Sequence, residues 1–492
     1  MNTKLLMQKI LDLAIRGKLT QQLKSDGTAA DLLRQISEQK RESSSTLSSP
    51  RRRGSPSAQS EKTIIPLDKS EAPFEIPANW EWVRLGDVAY IASGSTPSKD
   101  CFVESGVPYL KMYNLRNQQI DFEYKPQYIK REVHEGKLAR SKAKPGDVIM
   151  NIVGPPLGKV ALVPESLPEC NFNQAAVLIR AHFCTNLMNQ YIRYFLLQMD
   201  EINAINTKGT AGQENISLTQ TQNMRFPFPP LAEQQRIVEK IQKAFTEIDS
   251  IENNKELLKT HIKQARQKIL DLAIHGKLVP QIKADEPACV LLERITRDNP
   301  HYEKLTDIPF EIPDSWQWVK LGDIAYIASG STPSKEAFVD KGVPYLKMYN
   351  LRNQQIDFKY KPQYIKREIH EGKLARSKAK PGDVIMNIVG PPLGKVALVP
   401  KSLPECNFNQ AAVLIRAHYS TNLMNQYIRY FLLQMDEINS VNTKGTAGQE
   451  NISLTQTQKM RFPLPPLAEQ KRIVDRIEEI FASLDEISLH LV

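Results

Sequence analysis

The feature that most constrains this chain is a long internal repeat. The segment from Asp87 to Leu231 returns from Asp323 to Leu467 at a constant offset of 236 residues, with about one position in ten changed. Segments this alike share one fold. A looser match extends upstream, where IPANWEWVRLGD from Ile76 answers IPDSWQWVKLGD from Ile312. A shorter block, QKILDLAIRGKL from Gln8, recurs as QKILDLAIHGKL from Gln267 at an offset of 259, so the first connector is longer by 23 residues. The excess falls in residues 42–62, where Ser and Pro crowd and large apolar side chains are scarce. Such a stretch cannot offset its ordering entropy and is predicted disordered. Its Arg51, Arg52 and Arg53 could touch phosphate, or be merely solvated.

Between the copies, residues 231–278 hold no Pro and no Gly before Gly276, and their apolar positions follow a heptad. Ile237, Ile241, Ala244, Ile248, Ile251, Leu258, Ile262, Ala265, Ile269 and Leu272 write the seam, with Lys255 its polar exception. Pro229 and Pro230 mark the start of a long helix and Gly276 its stop. The same seam returns in two pieces. Ile473, Ile477, Ile480, Leu484, Ile487 and Leu491 close the chain at 467–492, and Leu6, Ile10 and Leu13 open it at 1–20. Joined end to start, these pieces reproduce the central helix, so the chain reads as a circle of two equal units cut within one helix. Two rods with one pattern can bury their seams against each other in antiparallel pairing, which predicts adjacent termini and a pseudo-twofold axis.

Inside each copy, DVAYIASG, VPYLKMYNL, GDVIMNIVG, KVALVP and AAVLIRAH read as short strands. Residues 186–205 carry helical spacing, with Thr185 or Asn186 as the N-cap. The turns between them are polar and lysine-bearing: SGSTPSK, KMYNLRNQQ, GPPLGK, NFNQ and NTKGTAGQENISLTQTQ. Lys and Arg can pair with guanine, Asn and Gln with adenine, and aromatic rings can stack on bases. The candidate DNA contacts are Lys111, Tyr113, Asn114, Arg116, Asn117, Gln118, Lys159, Asn171, Asn173, Gln174, Lys208 and Gln213. Their counterparts are Lys347, Tyr349, Asn350, Arg352, Asn353, Gln354, Lys395, Asn407, Asn409, Gln410, Lys444 and Gln449. A formal charge of +10 suits a polyanionic partner. Trp80, Trp82, Trp316 and Trp318 are divided between core packing and base stacking.

Several chemistries find no motif. The Pro-Pro pairs lack the Asn/Asp-Pro-Pro-aromatic context of an adenine methyltransferase, and GPPLGKV lacks the spacing and Ser/Thr of a phosphate loop. Five scattered cysteines form no CxxC pair, and the eight histidines show no metal spacing, so no metal is expected and His134 and His370 are expected at the surface. Asp147 and Glu135 are the carboxylates that a nuclease site would need. No membrane-length apolar run or leader is evident, which makes the cytoplasm the expected compartment.

PPLAEQQRIVEKI from Pro229 and PPLAEQKRIVDRI from Pro465, each preceded by GTAGQENISLTQTQ, together with KILDLAIxGKL, resemble the type I restriction-modification DNA specificity (S) subunit. The resemblance spans nearly the whole chain apart from the Ser/Pro/Arg connector. It implies two target recognition domains separated by long helices, each reading one half of a bipartite DNA site. With the repeat and the strand and helix patterns this gives an α+β protein with two similar α/β target recognition domains, at 74–230 and 308–466. These are joined by a pair of long antiparallel coiled-coil helices in a pseudo-twofold circular organisation. It implies double-stranded DNA as ligand and, as partners, two modification (methyltransferase) subunits and restriction (translocase/nuclease) subunits. S-adenosylmethionine, ATP and Mg would then sit on those partners, and this chain would carry no catalytic residue. Family members usually pair dissimilar recognition domains; here the halves nearly match, so an inverted-repeat target is expected. A stand-alone DNA-binding regulator or decoy, and a symmetric nuclease, are the alternatives.

Overall fold

The computed structural model describes residues 2–45, 64–154, 157–198, 215–297, 302–303, 305, 308–390, 393–434 and 451–491. The chain divides into two compact units, Met1–Asn253 and Asn254–Val492.

In the first unit the helix Thr3–Ile15 is capped by the Asn2 side chain, which accepts from Leu5 N at 3.0 Å. The chain leaves this helix through Gly17, at φ +65°, where a Cβ would lie 2.3 Å from Pro77 Cγ. Both the left-handed turn and the close approach require glycine, which accounts for the GKL of the repeated block. The helix runs antiparallel to the first part of the long central helix Leu231–Ile274, with Thr3 Oγ1 donating to Glu252 Oε1 at 2.6 Å and Lys240 Nζ to Leu19 O at 2.8 Å.

The recognition domain begins with β1 (Glu81–Arg84), which pairs antiparallel with β12 (Arg225–Phe228) and so closes its entry against its exit. Between them lie two four-stranded sheets. The larger orders β2 (Ala89–Ser93), β11 (Ala176–Ala181), β8 (Val148–Asn151) and β9 (Val160–Leu162), all antiparallel. The smaller orders β10 (Asn171–Phe172), β4 (Val107–Leu110), β7 (Tyr128–Ile129) and β3 (Phe102–Val103), with β10 parallel to β4.

The alternation of a strand explains why the larger sheet is covered on both faces. Val177 and Ile179 of β11 join Val148, Met150 and Val160 in the core shared with Tyr191, Ile192 and Phe195 of the helix Thr185–Leu197. Ala176 and Leu178 point the other way, into a core with Ile149, Ala161, Leu110 and Phe172. All five strands read from the sequence are present. The second unit repeats the order 236 residues later, with strands Ala325–Ser329, Ala412–Ala417, Val384–Asn387 and Val396–Leu398 forming its larger sheet. Its C-terminal helix Leu467–Leu489 runs antiparallel to the latter part of the central helix, through Arg266 to Asp485 and Gln281 to Glu469.

Several boundaries differ from the sequence reading. The central and C-terminal helices stop at Ile274 and Leu489, and the N-terminal one at Ile15. The spacer helices are not separate from the recognition domains, because Ile237, Val238 and Ile241 are buried in the same core as Phe195 and Phe226. The seam is covered at Ile237, Ile241, Ile248 and Ile262, yet Ile251 and Leu258 are exposed. A second helix, Ala29–Ser45, takes in residues 42–45 of the stretch expected to be disordered; the rest of that stretch to 62, with Arg51, Arg52 and Arg53, lies outside the described residues. Its equivalent Ala288–Thr296 is shorter. Neither helix was anticipated. The helix expected at 186–205 starts at Thr185, and its N-cap is Cys184 in left-handed conformation at φ +41°, not Thr185 or Asn186. Thr185 Oγ1 instead donates back to Ala181 O at 3.4 Å.

Candidate nucleic-acid interface

The sheet topology gathers the polar turns. In the antiparallel order of the larger sheet, β2 and β8 end where β11 and β9 begin, so the turns after Ser93 and Asn151 and before Val160 and Ala176 emerge at one end. Gly94 N donates to Ala176 O at 3.1 Å and Asn173 N to Leu110 O at 3.1 Å, which brings the ends of β4 and β10 to the same place. A Cβ on Gly94 would lie 2.2 Å from Asn173 O, so only glycine lets these two turns touch.

From β4 the chain builds a hairpin, β5 (Leu115–Arg116) and β6 (Gln119–Ile120), whose two turn residues Asn117 and Gln118 both have positive φ, 49° and 59°. That is the tight turn whose twist matches flanking strands. Arg116, Asn117 and Gln118 are exposed at its tip. Gln118 Oε1 accepts from Val160 N at 3.1 Å and so locks the hairpin onto the larger sheet. The Arg116 guanidinium lies 4.2 Å from the Tyr124 ring centroid, and Tyr124 packs edge-on to Tyr113 at 6.1 Å. Tyr113 OH donates to Lys125 O at 3.2 Å, so this ring is half-buried and held in place. The second unit repeats the arrangement with Arg352 at 4.3 Å from Tyr360, Tyr349 at 6.0 Å from Tyr360, and Asn353 and Gln354 at the turn. Tyr124 and Tyr360 escaped the sequence reading; their offset of eight residues from Arg116 and Arg352 becomes a contact only through the hairpin.

Other candidates fall into three groups. Gln174 is exposed and bonded to Thr96, as Gln410 is to Thr332, while Lys111, Lys159, Lys347 and Lys395 are half-buried at the same end. The carboxamide oxygens of Asn173 and Asn409 are buried without a donor among the described residues. Lys208, Gln213, Lys444 and Gln449 lie outside the described residues. Asn114, Asn171, Asn350 and Asn407 require correction: each is at most 1% exposed and spends its amide on the frame. Asn114 Oδ1 accepts from Lys111 N at 2.9 Å and its Nδ2 donates to Asp121 O and Tyr124 O. Asn171 Nδ2 donates to Leu138 O at 3.0 Å and Ser141 O at 2.9 Å. Asn350 and Asn407 repeat these bonds. No hydrogen-bonding atom is left for a base edge.

The frame explains further residues. All four tryptophans are buried, which removes them as base-stacking groups. Trp80 Nε1 donates to Glu233 Oε2 at 2.7 Å, and Glu233 Oε1 accepts from Gln22 at 2.5 Å and Thr20 at 3.1 Å. Trp316 and Glu469 repeat the bond at 2.9 Å, and burial raises the Glu469 carboxyl above its ordinary value. The PPLAEQ signature is therefore a clasp that ties the foot of the central helix to the domain and to the N-terminal segment. Asp147 is buried, with its carboxylate held by Arg180 and by Lys144 N at 2.6 Å, whereas Glu135 is exposed and bonded to Lys142. Burial pushes the Cys170 and Cys406 thiols up to about 12, which leaves no thiolate there. His134 and His370, expected at the surface, are 1% exposed.

A fold of this kind, given twice along a chain with helices between, is that of a DNA specificity subunit. It is similar to the crystal structure of the HsdS subunit from Thermoanaerobacter tengcongensis, with TM-score 0.51, 20% identity, and coverage of 85% of this chain and 94% of that one. A chain from a study of complex assembly and conformational transition in the type I R-M system gives TM-score 0.57 at 20% identity, with the same coverage. The family model described as "Type I restriction modification DNA specificity domain" matches residues 77–260 and 313–489, and the chain belongs to this family. Curated relatives include the EcoAI specificity subunit of Escherichia coli, 24% identical over 98% of this chain and 90% of the relative. The EcoKI specificity subunit of Escherichia coli strain K12 is 24% identical over 84% of each chain. The chain is thus a DNA sequence-recognition subunit of a type I restriction-modification system, from a family that is not itself catalytic. Among the described residues no helix is long and apolar enough to cross a membrane.

Proposed function

We propose that the two units read one and the same short DNA word, presented as an inverted repeat across a fixed gap. The observation that carries this is the hairpin tip: Arg116, Asn117 and Gln118 with Tyr124 have identical counterparts in Arg352, Asn353 and Gln354 with Tyr360, in matching geometry. Two identical readers select two identical words, and readers related by a twofold take them in inverted order. Antiparallel helix pairing within each unit supports the central helix as the ruler of a gap of about five to eight base pairs.

In this reading two modification subunits supply S-adenosylmethionine and flip and methylate adenine, while restriction subunits supply ATP- and Mg-dependent translocation and cleavage. The chain itself has no catalytic role, in keeping with the motifs missing from its sequence, and it works in the cytoplasm. A stand-alone regulator is disfavoured by the family membership. Methylome sequencing of a strain expressing the complete system tests the proposal. A palindromic bipartite methylated site is expected; two unrelated half-sites refute it.

A further inference from the structure

Each recognition domain contains a buried histidine whose bonding is unbalanced. His134 Nδ1 lies 2.6 Å from Asn171 Oδ1. The Asn171 amide cannot be turned round, because its Nδ2 already donates to Leu138 O and Ser141 O. Nδ1 therefore carries the hydrogen, and in a neutral ring Nε2 is a bare lone pair. That lone pair faces two carboxylates, with Glu169 Oε2 at 2.9 Å and Glu135 Oε1 at 3.8 Å. The outer oxygens are turned away: Glu135 Oε2 is bonded to Lys142, and Glu169 Oε1 is 3.8 Å from Lys144. A buried ring nitrogen and two carboxylate oxygens on its solvent side, Glu169 36% and Glu135 53% exposed, thus converge on one point, and the positive charge that balances them is either a proton on Nε2 or a metal cation.

The second domain repeats it. His370 Nδ1 lies 2.6 Å from Asn407 Oδ1, and its Nε2 lies 3.1 Å from Glu405 Oε2 and 3.8 Å from Glu371 Oε1. Lys378 and Lys380 again take the outer oxygens. In both groups the ligand atoms lie within 4.8 Å of one another.

We propose that His134, Glu135 and Glu169, and likewise His370, Glu371 and Glu405, each bind one zinc-class divalent cation. Tetrahedral zinc holds N and O ligands at about 2.0–2.1 Å, which places them roughly 3.3 Å apart; the observed 2.9 and 3.8 Å bracket that separation. A ring nitrogen in the donor set favours zinc over magnesium or calcium. The Asn171 amide is the outer partner that ligating imidazoles ordinarily have. Three protein ligands leave a position for water. The ion would pin the short helix Arg131–Glu135 to the turn that leads into β10, behind the candidate reading turns.

The test uses the full chain, freed of metal with chelator and dialysed against zinc chloride, with bound metal counted by mass spectrometry. Two zinc ions per chain are expected, one in Glu169→Gln and none in Glu169→Gln/Glu405→Gln. Glu169 is at the surface side of the cluster and its amide keeps the shape, so circular dichroism should match wild type. Cobalt(II) should give tetrahedral ligand-field bands that the double variant loses. Wild-type chain that takes up no zinc, or uptake indifferent to both substitutions, overturns the proposal. So does nitrogen-15 NMR showing both ring nitrogens protonated at neutral pH with zinc present, because a proton then fills the place of the ion.

Discussion

Substituting Glu233 by alanine probes the clasp that joins recognition to ruler. The side chain is fully buried, and it is the acceptor for Trp80 Nε1, Gln22 and Thr20. Removing it strands the buried indole N–H, at about 1–3 kcal/mol. Gln22 and Thr20 are only part-buried and can turn to water, so they add little. The desolvation cost of the carboxylate is relieved at the same time, which brings the net loss to about 2 kcal/mol. Trp80→Phe removes the donor alone and leaves Oε1 satisfied. In a double-mutant cycle the pair should couple by roughly 1–2 kcal/mol. Because two units need not unfold together, the readout is hydrogen exchange of the core strand Ala176–Ala181 in urea, with the second unit's Ala412–Ala417 as internal control. Single effects that add to within ~0.3 kcal/mol would show that the indole and carboxylate do not bond, and the clasp would be refuted.

Arg116→Ala and Arg352→Ala should each weaken binding to the cognate site by about 1–3 kcal/mol and relax discrimination in one half-site only, as measured by competition with single-base variants; unchanged selectivity would remove the hairpin from the reading surface. Four lysines distinguish the second copy, at Lys341, Lys359, Lys401 and Lys459, yet only Lys359 lies in the stretch between the hairpin and the following strand at the reading end. Glu123→Lys in the full chain should therefore steepen the logarithmic salt dependence by about one, whereas Glu165→Lys should leave it unaltered. Burial, and then the Lys40 charge, lowers the His182 pKa to about 4. A depressed folded value means stability that is complete above pH 6.5 and is lost as the pH falls toward 4, by at most ~3 kcal/mol since the ring is partly exposed. His182→Gln should flatten exchange-detected stability of the first unit across that window; an unchanged slope would contradict the assignment.

The sequence by itself determined the architecture, because its signals are periodic and local. A repeat at fixed offset guarantees two like domains, an unbroken apolar run along AAVLI marks a strand covered on both faces, and a heptad free of glycine and proline fixes a long helix. Gly17 and Gly276 marked helix ends for the same reason, since the left-handed turn is a property of the residue. The tertiary structure alone decided what each polar side chain does. Asn114 and Asn117 are three residues apart and alike in chemistry, but one is sealed in the frame and the other stands at a hairpin tip. His134 meets Glu169 and Asn171 across 35 and 37 residues, and Trp80 meets Glu233 across 153. Whether a polar group is spent on the protein or left for a ligand depends on which distant carbonyls and carboxylates folding brings within 3 Å of it, and no local pattern encodes that.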